Sequence, residues 1–366
     1  MNDEQMIQES AARLFADAAA DASLNARVEA GDFPTALWAQ IDAAGFKLAL
    51  VNGDQGFGLQ PDQALPIFEE LGRHRVPAPL AETAIGLALL AAAAQPLPER
   101  PGTLIDLGPG TALQLALRDN QPVLCGEAKA VPWGRHAHWA VAQLDNGDLV
   151  SLDLAGAAGV TITAQHDLAG MPSDTVRFDH AAVRAVLPAA TFTVASPLRT
   201  MGALVHAAMM TGAMEWALAQ AIQYANDRVQ FGKPIGKNQA LQQALAQAAG
   251  DIASARMAVR MAGQDFRLDD AARAERSAFG VAAAKVRCGE AATRTAAVAH
   301  QVLGAIGFTH EHALHTATRR LWAWRERHGA DAWWARRLGE AAIRARSGAF
   351  WPAMAQREFP AGNARA

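Results

Sequence analysis

The eight residues Arg228–Ile235, which read RVQFGKPI, bring together side chains that suit a phosphorylated ring compound. Arg228 carries a planar guanidinium that can donate two parallel hydrogen bonds to one phosphate. Gln230 offers an amide, and Phe231 offers the face or edge of an aromatic ring. The glycine and proline that follow end the preceding helical pattern, so these groups stand at a helix end. The segment predicts a site for an anionic, flat-ringed ligand. A solvated surface arginine beside a core phenylalanine is the alternative.

A second segment with closely spaced small residues follows at His300–Thr309, which reads HQVLGAIGFT. Gln301 supplies another amide, and Gly304 and Gly307 flank Ala305 and Ile306. Glycine lets a backbone approach a ligand closely. Both segments lie in helix-rich sequence, and the second one strengthens the ligand-site interpretation of the first.

The composition indicates a globular protein with local rather than extended charge. The chain has 366 residues, of which 51% are hydrophobic, and a formal net charge of -3. This length can bury a large core in two or three packed units. Lysine and arginine are dispersed, so no basic track predicts nucleic-acid binding. Cys125 and Cys288 stand far apart without metal-ligand spacing, which is typical of a reducing compartment and argues against a metal site or disulfide framework.

Neither the first residues nor the apolar runs indicate export or membrane insertion. Met1–Gln5 is polar and acidic and lacks the basic and apolar regions of a signal peptide. The longest apolar stretch, Ala84–Ala94, is interrupted by Gly86 and falls short of the about 20 residues that span a bilayer. We expect a cytoplasmic protein with no membrane partner.

The hydrophobic period changes twice along the chain. Apolar residues recur at helical spacing from about residue 4 to 95. Short β-rich runs follow, and Trp139–Leu144, Asp145–Asp148 and Leu149–Leu152 predict a hairpin. Beyond Pro197 the helical pattern resumes in runs at roughly 198–227, 238–267, 271–302 and 311–347. The sequence therefore predicts an α+β protein with an N-terminal helical domain (1–98), a small middle β-domain (99–193) and a C-terminal four-helix bundle domain (194–366).

This order of elements, together with the two motifs, resembles the acyl-CoA dehydrogenase family over nearly the whole chain. Trp38, the pair Gly45 and Phe46, and Glu69–Arg73 resemble the N-terminal domain of that family. The resemblance implies an FAD flavoprotein that oxidises the α,β bond of an acyl-CoA thioester. It also implies electron-transfer flavoprotein as the electron acceptor, and an oligomer, either a homodimer or homotetramer or a heteromer with a second family subunit.

The resemblance also implies roles for individual residues. Arg228 corresponds to the family arginine that binds the FAD diphosphate of a neighbouring subunit. Gln301, Gly304 and Gly307 correspond to a segment that closes over the same diphosphate, and Ala305 stands where the family has a second glycine. Gln230 and Phe231 would flank the cofactor, with helix-end packing between subunits as their alternative.

Two family features are missing from this sequence. The Thr-Glu-Pro stretch that faces the flavin ring has no counterpart, although Leu124–Trp133 resembles the strand that comes after it. The family's catalytic glutamate precedes a glycine about twenty-one residues after the last motif glycine, and in this chain that count reaches His328 and Gly329. His328 is thus the candidate catalytic base, because an imidazole titrates near pH 6.5. A surface or helix-end histidine is the alternative.

Three functions remain open from the sequence. The first is an acyl-CoA dehydrogenase with its own active site. The second is a non-catalytic partner subunit that contributes Arg228 and the Gln301 segment to FAD held by another chain, and both missing features favour it. The third is a flavin-dependent oxygenase of the same fold, which does not need a base for the α-proton.

Overall fold

A computed structural model describes residues 3–53, 55–230, 232–344 and 346–357. The chain begins with helices, of which α5 is buried along almost its whole length because nearly all of its residues are apolar. Helix α4 begins at Pro61, where Gln60 and Gln63 form a capping box. The helices of this part are α1 (Asp3–Ala20), α2 (Leu24–Glu29), α3 (Thr35–Ala43), α4 (Pro61–Arg73) and α5 (Leu80–Ala92).

A β-sheet follows, in the order β1-β4-β5-β7-β3-β2, with β6 also paired to β7. Strand β1 pairs with β4 in parallel, and the other pairs are antiparallel. The predicted hairpin is confirmed, since β4 and β5 pair directly. The strands are β1 (Gly102–Ile105), β2 (Ala112–Arg118), β3 (Gln121–Pro132), β4 (Trp139–Gln143), β5 (Leu149–Asp153), β6 (Val160–Thr163) and β7 (Ser173–Leu187).

The rest of the described chain is a helical bundle in which α8 packs against α6, α7 and α10. The predicted helical run at 311–347 is corrected: it is two helices, because His328 and Gly329 adopt φ angles of 56° and 91° that no helix continues. The helices are α6 (Pro197–Asp227), α7 (Gln239–Asp265), α8 (Ala274–Leu303), α9 (Leu314–Glu326), α10 (Asp331–Arg344) and α11 (Arg346–Gln356).

The order of helices, sheet and helices confirms the predicted α+β class. Helix gives way to strand between Ala92 and Gly102, and strand to helix between Leu187 and Pro197. The domain boundaries at 98/99 and 193/194 stay predictions that fall within those connections. Among the described residues, no helix is long and apolar enough to cross a bilayer.

Two glycines let helices α4 and α6 cross at backbone contact. A Cβ atom added at Gly72 would lie 1.9 Å from the carbonyl oxygen of Met209, and one added at Gly212 would lie 1.9 Å from that of Glu69. Alanine at either position would place a methyl group against main-chain atoms, which cannot move aside as a side chain can. The crossing anchors the N-terminal helices on the longest helix of the bundle.

Candidate cofactor site

The motif RVQFGKPI forms the connection between α6 and α7. Arg228 caps the end of α6, where its backbone N–H donates to the carbonyl of Tyr224 at 2.9 Å. Two short strands follow, β8 (Val229–Gln230) and β9 (Lys233–Pro234), and they pair as a hairpin. The predicted position of these groups at a helix end is therefore confirmed. Phe231 lies outside the described residues.

The second motif forms the end of α8. Gly304 adopts φ 63° and ψ −141°, a conformation that glycine tolerates far better than other residues, and it opens a short 3-10 turn that runs to Phe308. Gly307 has a different environment, because it is buried, and a Cβ there would meet Leu303 and Leu314 at 3.1 and 3.3 Å. Gly304 thus shapes the exposed part of the turn, whereas Gly307 packs the turn against α9.

The two motifs together line one pocket of about 550 Å³, which is within the usual range of ligand sites, about 300–1,000 Å³. The predicted site residues that line it are Arg228, Gln230, Gln301, Gly304 and Ala305. Gly307 and His328 do not belong to its lining. The prediction that the two segments form one site agrees with this geometry, while their binding of a cofactor stays a prediction.

Three further polar residues line the pocket, and none of them was predicted from the sequence as a binding residue. Lys233 lies within the first motif, Tyr224 one helical turn before it, and Asn238 at the start of α7, where its side chain accepts a hydrogen bond from the backbone of Ala240 at 3.0 Å. For Tyr224 the available signal was its position four residues before Arg228, since residues four apart on a helix share a face. Lys233 lies on β9, and its only signal was its place within the motif.

The charge of the pocket favours an anion. Arg228 and Lys233 are both exposed, and neither side chain forms an ion pair or hydrogen bond with the part of the chain that the structure describes. The described lining contains amides and a phenol but no carboxylate. A guanidinium, an ammonium and amide donors beside a glycine turn make a donor set that fits a diphosphate. The residues present therefore fit the nucleotide half of FAD.

His328 lies elsewhere, in the connection between α9 and α10. Its Nδ1 is 3.1 Å from a carboxylate oxygen of Asp106, and Asp106 also accepts hydrogen bonds from Arg199 at 2.8 and 3.1 Å. Burial lowers the pKa of His328, and the hydrogen bond to Asp106 opposes that shift. A neutral imidazole that donates from Nδ1 keeps its lone pair on Nε2.

The ring of His328 is packed into helix α6. A Cβ added at Gly202 would lie 2.4 to 2.6 Å from the ring atoms, including Nε2, so only glycine admits the ring there. The ring of His206 lies against it with 5.0 Å between centroids. The nitrogen that would accept a proton therefore faces helix backbone. The assignment of His328 as a base stays a prediction, and its described neighbours are those of a packed core residue.

Comparisons with known proteins agree with this architecture. Residues 192–343 match the family model of the acyl-CoA dehydrogenase C-terminal domain. Acyl-CoA dehydrogenase IpdE2 of Mycobacterium tuberculosis is 28% identical over 324 residues, which cover 87% of this chain and 90% of that protein. Residues 192–343 are therefore identified as an acyl-CoA dehydrogenase C-terminal domain. This confirms the resemblance found in the sequence and the fold that it implied.

Solved structures of acyl-CoA dehydrogenase fold superpose over almost the whole chain. A chain of the ChsE4-ChsE5 complex from Mycobacterium tuberculosis has a TM-score of 0.80 at 21% identity, with 94% of this chain and 98% of that chain covered. PigA, solved with FAD and proline, has a TM-score of 0.77 at 17% identity, with coverage of 93% and 98%. At these identities the likeness concerns the fold.

Side-chain contacts cross the cleft between the sheet and the bundle in this chain. Arg327 spans it: one guanidinium nitrogen donates to the carbonyl of Ala130 at 2.5 Å and another to the hydroxyl of Ser173 at 2.9 Å. Lys285 fixes the connection between α9 and α10, since its ammonium donates to the carbonyls of Trp324 and Arg327, each at 2.8 Å. The cavity that remains in this cleft measures about 30 Å³. Ala130 belongs to the segment Leu124–Trp133, which resembles the family strand that comes after the missing Thr-Glu-Pro stretch.

Proposed function

We propose that this chain is a subunit of an FAD-dependent acyl-CoA dehydrogenase, in which it binds the nucleotide end of FAD while a neighbouring subunit holds the flavin ring. The observation that carries this proposal is the contrast between the two sites. The surface pocket is open, cationic and about 550 Å³, whereas the cleft beside Arg327 retains about 30 Å³. A three-ring flavin needs far more room than the cleft offers.

Each pocket residue has a defined role in this proposal. The guanidinium of Arg228 and the ammonium of Lys233 neutralise the diphosphate, and Arg228 adds a bidentate hydrogen bond. Gln301 donates from its amide, and the turn at Gly304 admits close approach of the backbone. When bound, FAD supplies the hydride acceptor for oxidation of the α,β bond of an acyl-CoA thioester.

The composition of the assembly follows from the same argument. A heteromer with a second family subunit places the catalytic base in the other chain, and the ChsE4-ChsE5 structure is a complex of two differently named chains. PigA is a fold relative solved with FAD. We propose electron-transfer flavoprotein as the electron acceptor of the assembly and the cytoplasm as its location.

Calorimetric titration of the purified chain tests which half of FAD it recognises. We expect ADP and FAD to bind with dissociation constants within about tenfold of each other, because the pocket contacts the part they share. We expect no binding of FMN, which carries the ring and a single phosphate. Binding of FMN, or failure of both ADP and FAD to bind the chain and its co-expressed complex, would contradict the proposal.

A second candidate function is dehydrogenation by this chain itself with His328 as the base, and its pairing with Asp106 at 3.1 Å favours it. The two candidates differ in the expected effect of His328→Gln. Loss of a general base lowers turnover about 10²–10⁴-fold. We expect less than a tenfold change in steady-state acyl-CoA oxidation by the assembled enzyme, with the flavin content and thermal midpoint of each sample measured in parallel. The flavin-dependent oxygenase stays a prediction.

A further inference from the structure

Arg320 on α9 is a buried cation without a counterion. Only 2% of its surface is exposed. One guanidinium nitrogen, Nη2, donates to the side-chain oxygen of Asn25 at 2.7 Å and lies 3.5 Å from the sulfur of Met171. The other, Nη1, is buried without a hydrogen-bond partner, and Arg320 forms no ion pair with any carboxylate that the structure describes. Burying an unpaired charge costs several kcal/mol, so native structures supply a partner.

The small cavity in the closed cleft lies beside Arg320. It has a volume of about 30 Å³, and a cavity needs about 10–15 Å³ to hold a water molecule. Elements from all parts of the fold meet around it. Its polar and aromatic lining includes Glu82, Asp167, His206, Arg320, Trp324 and Arg327. The cavity therefore has room for one small ion and not for an organic ligand.

The charges around this cavity leave an excess positive charge at slightly acidic pH. Arg327 is paired with Asp167 at 3.6 Å, which leaves Arg320 as the unpaired cation of the lining. His206 donates from Nδ1 to the carbonyl of Gly202 at 2.9 Å, and burial holds its pKa well below the usual value, so its ring is neutral. Glu82 is buried in α5, and burial raises its pKa to about 7 even though Arg327 lies near it.

More distant charged groups do not remove this excess. Arg75 lies on the Arg320 side and is half-buried, and burial lowers its pKa to about 10, so it remains a cation at neutral pH. Glu29 also acts on Arg320, but it is paired with Arg319 at 3.3 Å. His328 and Lys285 also act on His206; each adds a positive charge when protonated, although burial lowers the pKa of both. The groups facing the cavity thus favour a negative charge inside it.

We propose that the cavity beside Arg320 binds one small monovalent anion, such as chloride, with Nη1 of Arg320 as its donor. A water molecule accepts the same hydrogen bond but leaves the guanidinium charge uncompensated. The anion joins α9 to the N-terminal helices and the sheet at the point where the cleft is closed. This site is separate from the nucleotide pocket and does not depend on the proposed FAD binding.

The first test is the thermal unfolding of the purified full chain at pH 6 in chloride, bromide or gluconate at equal ionic strength. Gluconate is too large for the cavity and serves as the reference anion. We expect the unfolding equilibrium constant to fall in proportion to halide concentration above the dissociation constant. Arg320→Met should abolish the halide effect, and Arg336→Met, which changes an arginine with 68% of its side chain exposed, should retain it. An equal halide effect in both variants would mean an adventitious ion only and overturn the proposal.

A second measurement covers the case in which Arg320→Met does not fold. Anomalous diffraction from bromide-soaked wild-type crystals should show a buried peak within hydrogen-bond distance of Nη1 of Arg320. Bromide at surface positions alone, with water density in the cavity, overturns the proposal.

Glu82→Gln separates this site from general salt effects. In the wild-type chain, ionisation of Glu82 adds a negative charge to the cavity, so the halide effect should weaken by at least about threefold between pH 6 and pH 8. Glutamine keeps the size of the side chain and cannot ionise. The halide effect of Glu82→Gln should therefore persist at pH 8, and a loss equal to that of the wild type contradicts the proposed arrangement.

Discussion

Replacing Arg228 with alanine should release FAD from the assembled enzyme while the fold stays intact. The Arg228 side chain is exposed and forms no ion pair or hydrogen bond with the described residues, so its loss should remove the proposed ligand contact and little else. A hydrogen bond to a charged group contributes about 1.5–3 kcal/mol, which corresponds to roughly 10- to 150-fold weaker binding. The ratio of flavin absorbance to protein absorbance after extensive dialysis measures this loss.

Two further variants sharpen the Arg228 experiment. Arg228→Lys keeps the charge but not the planar fork, so we expect flavin retention between those of the wild type and the alanine variant. Arg260→Ala is the matched control, because Arg260 is an exposed arginine of α7 outside the pocket lining. If Arg228→Ala retained as much flavin as Arg260→Ala, the diphosphate role of Arg228 would be wrong.

Gly212→Ala should be strongly destabilising although it adds a single methyl group. The new Cβ would lie 1.9 Å from the carbonyl oxygen of Glu69, on the backbone of α4, so the α4 and α6 helices must separate. Overpacking costs about 1–3 kcal/mol where side chains can adjust, and we expect at least about 3 kcal/mol here because backbone cannot. Urea denaturation followed by circular dichroism gives the change in the free energy of unfolding.

The control for this experiment is Gly250→Ala. Gly250 lies in α7, is exposed, and has no atom within 4 Å of an added Cβ. Alanine favours a helix over glycine by about 0.5–1 kcal/mol, so this variant should be slightly more stable than the wild type. Equal losses of stability in Gly212→Ala and Gly250→Ala would show that the close helix crossing is not the cause.

The position of the two motifs at helix ends could be predicted because each motif is a local feature of the sequence. Arg228 and Gly304 each stand at the end of a long helix, and helix ends are marked in the sequence by glycine and proline. Helices α6 and α8 pack against each other, so a bundle brings the two ends together. The role of Gly307 was not predictable in this way, since motif spacing does not distinguish a glycine that faces ligand from one that packs against α9.

The environment of His328 could not be predicted from the sequence, for a different reason. Its partner Asp106 is 222 positions away, and no local pattern links the two. The break between α9 and α10 depends on a positive φ at a histidine, which helical periodicity does not indicate. The burial of Arg320 could not be predicted from the sequence either, because an arginine in an amphipathic helix is normally solvated.

The pocket lined by the two motifs opens outward, with Arg228, Gln230 and Lys233 all exposed to solvent. A ligand held there remains partly uncovered until another surface meets it. In the proposed assembly, ligand occupancy and subunit association share one coupling free energy, and each strengthens the other by the same factor. The concentration of free cofactor would therefore set how tightly the subunits hold together.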